Sequence, residues 1–420
     1  MKMTLTALVL AAVLLLVSAC AYPAAEVLPV NGAAFGVPPA VPDASDVPRS
    51  IFDDPDFNIA NSPEGQLTLL LYALQDVAPK GEKYADFYAG AYYENNELIV
   101  LVTELTPEIE AFIAASSRNK DIKIRLAGTS LNELYRKQES ITKLCIQYAD
   151  DKAELKTSEE LNDLLKSIVS IGIDEKNNRV HVRMNKINGE KKAAFKKYFD
   201  SSDSIIFIES EHFSFAMNMM GGPINTFMGG YSVGYRCIRM TSAGYRKGFV
   251  TAGHGMINGM GVYWDYLTPI GGGLGTLIGT VNGIVFGNYQ YDACFVSLNN
   301  QSNEIYDKGF WKSDVIAQNY FVSAPGGYIT KQGRTTRDTT GLIISWSEDV
   351  PVGGILVIDC AIVSVYSLGG DSGGLAYAYI NGDNCLVGIL SSSNSAAQPN
   401  SLSAFTKAKN LYSALDLYAY

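Results

Sequence analysis

The stretch Ser367–Tyr377 reads "SLGGDSGGLAY" and sets Ser372 among four glycines. Gly369 and Gly370 precede Asp371, and Gly373 and Gly374 follow the serine. Glycine lacks a Cβ and enters backbone conformations closed to other residues, so the stretch can be a tight turn and nothing more. It can equally hold a serine at the point of a bend, with backbone N–H groups turned toward a substrate oxygen. The second reading needs two more residues, a base for the Ser372 hydroxyl and an acid to orient that base.

Upstream, the region from about residue 213 contains a single histidine, His254 in "GFVTAGHGM". An apolar strand runs into Ala-Gly-His, which puts the ring at a strand end beside a small-residue bend. Taken alone, one histidine is more often a satisfied core or surface residue than a base. Asp292 stands in "YQYDACFVSL", directly before an apolar run. A carboxylate there either faces solvent or, if buried, requires a partner. Together the three residues occur in the order His, Asp, Ser within one β-rich region.

That region is made of short apolar segments separated by glycine turns, among them "SVGYRCIRMT", "RKGFVTAGH", "GTLIGTVNGIV", "GGYITKQG", "GLIISWS", "ILVIDCAIVSV", "GLAYAYI" and "CLVGILSS". Many short strands at close spacing predict a barrel or sandwich, and about 200 residues of this pattern fit two small antiparallel barrels. The tail "SLSAFTKAKNLYSALDLY" is predicted as a helix.

The first half has a different texture. Residues 1–220 carry 22 Lys+Arg against 31 Asp+Glu, and residues 221–420 carry 11 against 12. Neither half has the basic stripe that nucleic-acid binding requires. The N-terminus, "MKMTLTALVLAAVLLLVSACAYPAA", has one lysine, an apolar run and small residues, the pattern of a secretory signal over 1–21. "VSAC" also resembles a lipobox, which would lipidate Cys20; a membrane role is expected only in that case. Either route leads out of the cytoplasm, so disulfides are allowed. Residues 22–50 are Pro- and Ala-rich and read as a linker.

From 51 to 212 the pattern is α+β. "SPEGQLTLLLYALQDVA" has Ser62 as cap and Pro63 at the first helical position, and Thr106-Pro107-Glu108 opens another helix. "FYAGAYYENNELIVLVTEL" is a hairpin turning at Asn95-Asn96. The same order returns in "TSEELNDLLKSIV", "SIGIDEKNNRVHVRM" and "GEKKAAFKKYF", so two weakly related helix–hairpin–helix units follow one another. They contain only His181 and His212 and no nucleophile or metal-ligand constellation. Without a CxxC pair a zinc site is not expected, and no cofactor or metal is. Cys145 falls in a helical pattern and reads as a buried thiol.

On "TAGH", "YDACFV", "GRTT" (Gly333–Thr336), "GGDSGG" and "VGILSSS", residues 220–415 resemble the chymotrypsin-like serine proteases, particularly the streptogrisin and α-lytic protease type. The resemblance implies an all-β double antiparallel barrel over 213–420, with a C-terminal helix. It makes Ser372 the nucleophile, His254 the general base and then acid, and Asp292 the orienting carboxylate. The N–H groups of Gly370 and Ser372 would form the oxyanion hole. Ser391 would support Asp292 and, with Leu390 and Ser393, line the substrate strand. Asp371 would be buried and need a cation, for which Lys331 or Arg334 is at hand.

The sequence also departs from the family. Gly255 follows His254 where a cysteine is common, and Tyr366 stands near another missing cysteine. Cys237 could pair with Cys294 and Cys360 with Cys385, one of three connectivities open to four cysteines. Ser393 resembles glutamate-specific relatives, but Leu390 replaces their pocket histidine, so an apolar P1 residue is expected. More faintly, residues 51–212 resemble the pro-regions of the α-lytic type, which implies a folding assistant and inhibitor cut away near 213–221. The reading is thus a secreted serine endopeptidase made as a pro-enzyme, with peptides or proteins as substrates and its own pro-region as partner. The rival readings are an inactive homologue serving as a binding or regulatory protein, and a glutamate-specific endopeptidase.

Overall fold

Each helix of the first half starts where a side chain satisfies one of its first amides. In the computed structural model, α1 (Pro63–Asp76) begins with Ser62 Oγ accepting from the Gly65 N–H at 3.0 Å. Thr106 does the same for α2 (Pro107–Ser117) and Ser130 for α3 (Leu131–Asp150). Ser158 caps α4 (Glu159–Ser167), and Asn188 caps α5 (Gly189–Tyr198). The structure describes residues 62–150, 158–199, 205–215, 224–226, 229–241, 244–264, 276–287, 290–299, 315–316, 323–380, 383–394 and 401–418. The expected leader with Cys20, the linker, and most of the expected boundary segment lie outside them.

Between the helices lie two hairpins of the same design. Strands β1 (Tyr88–Glu94) and β2 (Glu97–Val102) turn through Asn95 and Asn96, both at positive φ, a conformation asparagine tolerates. The next two, β4 (Ile168–Asp174) and β5 (Arg179–Met184), turn with Asn178 at positive φ. Each hairpin gains a third strand that sequence patterning did not separate. These are β3 (Lys123–Leu126), parallel to β2, and β6 (Ile205–Glu209), parallel to β5. One core serves both units, with Leu70 and Leu74 of α1, Ile113 of α2, Leu134 of α3, Leu164 of α4 and Phe195 of α5 packed with Val100, Ile171 and Val182. Burying each such side chain stabilises the body by roughly 1.5–3 kcal/mol.

Among its described residues the second half is built mostly of strands. A short strand, β7 (Phe213–Phe215), leads into it. One sheet comprises β8 (Ile224–Thr226), β9 (Gly229–Tyr231), β10 (Arg236–Thr241), β11 (Gly244–Thr251), β12 (Gly261–Trp264), β13 (Thr276–Val285) and β14 (Ala293–Leu298), with β22 (Leu417–Tyr418) at its edge. Its order is β22-β10-β11-β14-β13-β12-β8-β9, an open path among the described residues rather than a closed barrel. The other sheet contains β16 (Tyr328–Gly333), β17 (Arg337–Val352), β18 (Ile355–Val363), β19 (Leu375–Ile380), β20 (Asp383–Asn394) and β21 (Ser403–Lys407), with the two-residue β15 (Val315–Ile316) parallel to β20 beside them. These run in the order β16-β19-β20-β21-β18-β17, and β16 also pairs with β17, so the six form a closed circuit of antiparallel pairings.

That second sheet does not stop at the second half. Strand β17 pairs with β4, Glu348 opposite Gly172 and Asp349 opposite Ile171, so β4, β5 and β6 of the first half continue it.

Two expectations need correction. The predicted C-terminal helix is α6 (Ala408–Ala414) alone. Residues Ser403–Lys407 are instead the fully buried strand β21, held between β18 and β20 with Phe405 in the core, so tertiary burial overrides the helical pattern. The expected disulfides are absent, and all five described cysteines are free thiols. Cys237 and Cys294 face different clusters of the core, as do Cys360 and Cys385. Cys145 is only half-buried on α3, and burial pushes its thiol up to about 12.

Candidate active site

The strand β11 ends at Thr251, and the chain turns through Ala252-Gly253 so that His254 sits just beyond the sheet. Asp292 immediately precedes β14, the neighbour of β11. This adjacency puts the acid beside the turn. Asp292 Oδ1 accepts the N–H groups of Gly253 and His254, each at 2.8 Å. Its Oδ2 lies 2.6 Å from His254 Nδ1 and accepts the Ser391 hydroxyl at 2.6 Å. On the far side of the ring, His254 Nε2 is 2.7 Å from Ser372 Oγ. The hydroxyl also reaches the Ser391 carbonyl at 3.3 Å. All four side chains are buried.

Burial alone would raise the Asp292 carboxyl, but the His254 imidazole and the hydrogen bonds from His254 and Ser391 outweigh it and hold the group below its ordinary value. Four hydrogen bonds thus keep a buried carboxylate ionised beside the ring. An ionised carboxylate can only accept, so Nδ1 donates to Asp292 and Nε2 is turned to the Ser372 hydroxyl.

The loop carrying Ser372 is held from three sides. Gly370 has φ +96° and Gly373 φ +79°, both in the region that favours glycine. A Cβ on Gly373 would also lie 2.1 Å from Thr251 Oγ1. Ser232, which sequence reading did not single out, donates its N–H to the Ser372 carbonyl and its hydroxyl to the Gly370 carbonyl, each at 2.7 Å. No motif surrounds Ser232 that could have revealed it.

Beneath the loop, Asp371 is buried with five donors on its carboxylate: the N–H groups of Thr335, Thr336 and Leu368, the Thr336 hydroxyl and Lys331 Nζ. Lys331 is likewise buried, 3.1 Å from Oδ2. Burial lifts the Asp371 carboxyl and Lys331 with Thr336 pulls it lower still, for a net fall. Lys331 is thus the cation that Asp371 requires, while Arg334 donates its N–H to Ser232 Oγ.

The remaining predicted positions separate. Ser391 joins the constellation through both its hydroxyl and its carbonyl. Ser393 lies two residues further along β20, opposite Ser403. Leu390 packs into the core beside Val387 and Phe405, so its side chain is part of the sheet's interior.

A second buried ionic cluster lies at the β4–β17 junction. Glu348 Oε1 is 2.8 Å from His181 Nε2, the Arg183 guanidinium reaches both oxygens at 3.2–3.3 Å, and Ser170 Oγ donates to Oε2 at 2.5 Å. Arg183 and His181 overcome burial and hold the Glu348 carboxyl well below the usual range. Next to it, Asp349 accepts from the Thr142 hydroxyl at 2.8 Å, and burial raises its carboxyl to about 6. His181 therefore joins the two halves, whereas His212 is exposed. Among the described residues no group of three His, Cys, Asp or Glu side chains could hold a metal ion.

A family model described as a Pro-like C-terminal domain matches residues 132–210. No curated protein matches the chain. Among solved structures, the chain is similar to a glutamic-acid-specific serine protease described as using a novel histidine triad in substrate binding. The two are 22% identical with TM-score 0.38, over 49% of this chain and 100% of that one. Thermobifida fusca Protease A is 22% identical with TM-score 0.35, over 48% and 97%. A Cellulomonas bogoriensis chymotrypsin is 19% identical with TM-score 0.35, again over 48% and 97%.

Proposed function

We propose that the chain is a secreted serine endopeptidase made as a precursor, with the first half acting as folding assistant and inhibitor of the second. The observation that carries this reading is the line from Ser372 Oγ through both ring nitrogens of His254 to Asp292 Oδ2, at 2.7 and 2.6 Å. His254 Nε2 removes the Ser372 proton as Oγ attacks the scissile carbonyl carbon. Asp292 stays ionised and stabilises the imidazolium that forms. The N–H groups of Gly370 and Ser372 receive the developing oxyanion; neither has an acceptor among the described residues. His254 then gives its proton to the leaving amine. Water repeats the sequence on the acyl-enzyme, and no cofactor enters.

The match of a Pro-like model to residues 132–210 supports the precursor reading, because that span lies wholly within the first half. A closed circuit of distant strand pairings forms slowly, which gives a folding assistant its use. His254 is the sole histidine from residue 213 onward and is engaged by Ser372 and Asp292, so a P1 carboxylate would find no imidazole and an apolar P1 residue is favoured.

The test is Ser372→Ala. Peptidase activity should fall by about 10⁴ or more, and a fluorophosphonate should label the processed wild type but not the variant. The variant precursor should also remain uncut. Near-wild-type hydrolysis by the variant would refute the assignment. A precursor that stays uncut, and whose second half no fluorophosphonate labels once the first half is removed, would favour a binding protein.

A further inference from the structure

The four residues Leu368–Asp371 form a β-turn directly ahead of the nucleophile, closed by the Asp371 N–H donating to the Leu368 carbonyl at 3.0 Å. Its central residues are Gly369 and Gly370, and of these only Gly370 has a positive φ, +96°. A positive φ at the third position marks a type II turn. Types I and II share their ends and differ by roughly half a turn of the peptide between the two central residues. That peptide joins the Gly369 carbonyl to the Gly370 N–H. With glycine on both sides of it, neither form meets a Cβ penalty, so the turn by itself has two states.

The surroundings fix the ends of the turn and leave that one peptide to choose. The Gly370 carbonyl accepts the Ser232 hydroxyl at 2.7 Å, and the Leu368 carbonyl is taken by Asp371. The central peptide is held through its carbonyl, to which Thr335 Oγ1 donates at 2.7 Å. Thr335 is anchored by its backbone as well, its N–H donating to Asp371 Oδ1 at 2.7 Å. This segment can lie so near because residue 333 is glycine: a Cβ there would be 2.4 Å from Asp371 Oδ1. A trans peptide points its N–H and C=O in opposite directions. A hydroxyl that draws the Gly369 carbonyl to Thr335 turns the Gly370 N–H the other way, where it has no acceptor among the described residues.

Resting on the protease reading above, we propose that Thr335 is a positioning residue for the oxyanion hole. Its hydroxyl holds the turn in the type II state, in which the Gly370 N–H is offered to the developing oxyanion. In the type I state the Gly369 carbonyl would stand in its place and repel that charge. Thr335 acts on the donor only through the peptide it holds. Its loss is felt by the transition state, whose negative oxygen needs the donor, more than by the bound peptide.

Thr335→Val in the processed enzyme removes the hydroxyl and keeps the shape and the backbone N–H. With a peptide p-nitroanilide, kcat should fall about tenfold with KM near wild type, as for one lost hydrogen bond. The ceiling is the loss of a whole donor, about 10²–10³. A peptide trifluoromethyl ketone should bind more weakly by the same factor. Its carbonyl carbon bonds Ser372 Oγ, the serine proton passes to His254, and the negative oxygen is left in the hole. Thr335→Ser should restore both quantities. Gly370→Ala, which penalises the positive φ, should lower kcat by itself, and adding Thr335→Val should cost little more, because both act on one peptide. Wild-type kcat and inhibitor affinity in Thr335→Val overturn the proposal. So do a change confined to KM, a serine variant no better than the valine one, or losses that multiply in the double variant. Thr335→Ala gives the same comparison should the valine variant not fold. All these outcomes leave the protease reading intact, whereas a wild type that hydrolyses no peptide and takes no fluorophosphonate defeats both.

Discussion

In the first half the hairpins close through Asn95-Asn96 and Glu175–Asn178, while in the second half His254 reaches 38 residues along the chain for Asp292 and 118 for Ser372. Local pairs form without closing long loops; distant ones must bear the loop-closure entropy before any contact rewards them. The first half can therefore be a finished surface while the second is still searching. Strand β4 offers a ready edge to β17, and Arg183 and His181 offer charge to Glu348. The contrast is between a half closed by local pairs and a half closed by distant ones, and variants can separate the two.

The largest effect should come from Asp292→Asn. It keeps the shape but withdraws the charge and can impose the wrong tautomer on His254, so kcat of the processed enzyme should fall about 10⁴-fold. The denaturation midpoint of the precursor should move little by comparison. If kcat survives, the second half is not organised around that carboxylate.

Glu348→Ala should act in the opposite sense. It leaves the buried Arg183 guanidinium unpaired at the junction and should cost the precursor about 3–5 kcal/mol in chemical denaturation. Once the first half is removed, kcat should be near wild type. An equal loss in precursor and processed enzyme would mean that Glu348 serves the second half alone.

Lys331→Met strips one donor of five from Asp371. A loss of about 2 kcal/mol is expected, appearing in kcat more than in KM because the loop above it carries Gly370 and Ser372.

The pH dependence of stability divides the residues again. Glu348 and Asp371 titrate lower when folded than when unfolded. They add stability above the ordinary carboxylate range and lose it as pH falls through the folded values. Glu175, buried in the first half, runs the other way. Burial raises it to about 7, so it holds a proton that the unfolded chain has released, and stability declines as pH rises from about 5 to 7. Glu175→Gln should flatten that decline in the Ser372→Ala precursor; an unchanged slope would exclude Glu175 as its source. Smallest of all, Thr106→Ala removes the α2 cap and should cost about 1 kcal/mol in the first half with no effect on kcat.

Much of this was legible in the sequence because it is local. Ser62, Thr106 and Ser158 mark helix starts by a hydroxyl that accepts the backbone N–H three residues on, and Asn-rich turns mark the hairpins. The order His254, Asp292, Ser372 was legible because each member stands at a characteristic break in an apolar pattern. The role of Ser232 was not, since one serine N–H aimed at a carbonyl 140 residues away leaves no local trace. The β4–β17 pairing was equally hidden, because a strand edge does not announce its partner. The tail misled for a related reason. Ser403–Lys407 carries residues that suit a helix, and only the neighbouring β18 and β20 make it a strand. The cysteine pairs expected from the resemblance do not form because their side chains face separate parts of the interior.

The continuity of one sheet through β17 and β4 has a colloidal consequence. If the first half departs, the backbone of Glu348 and Asp349 loses its β4 partners and becomes a raw rim, able to recruit any extended chain it meets. Yet this rim would carry two adjacent acidic side chains, which mature into mutual repulsion once water reaches them. Crowded copies would then be held apart by like charge at the very place where their hydrogen bonding is unfinished, and added salt, by screening it, should be what lets them clump.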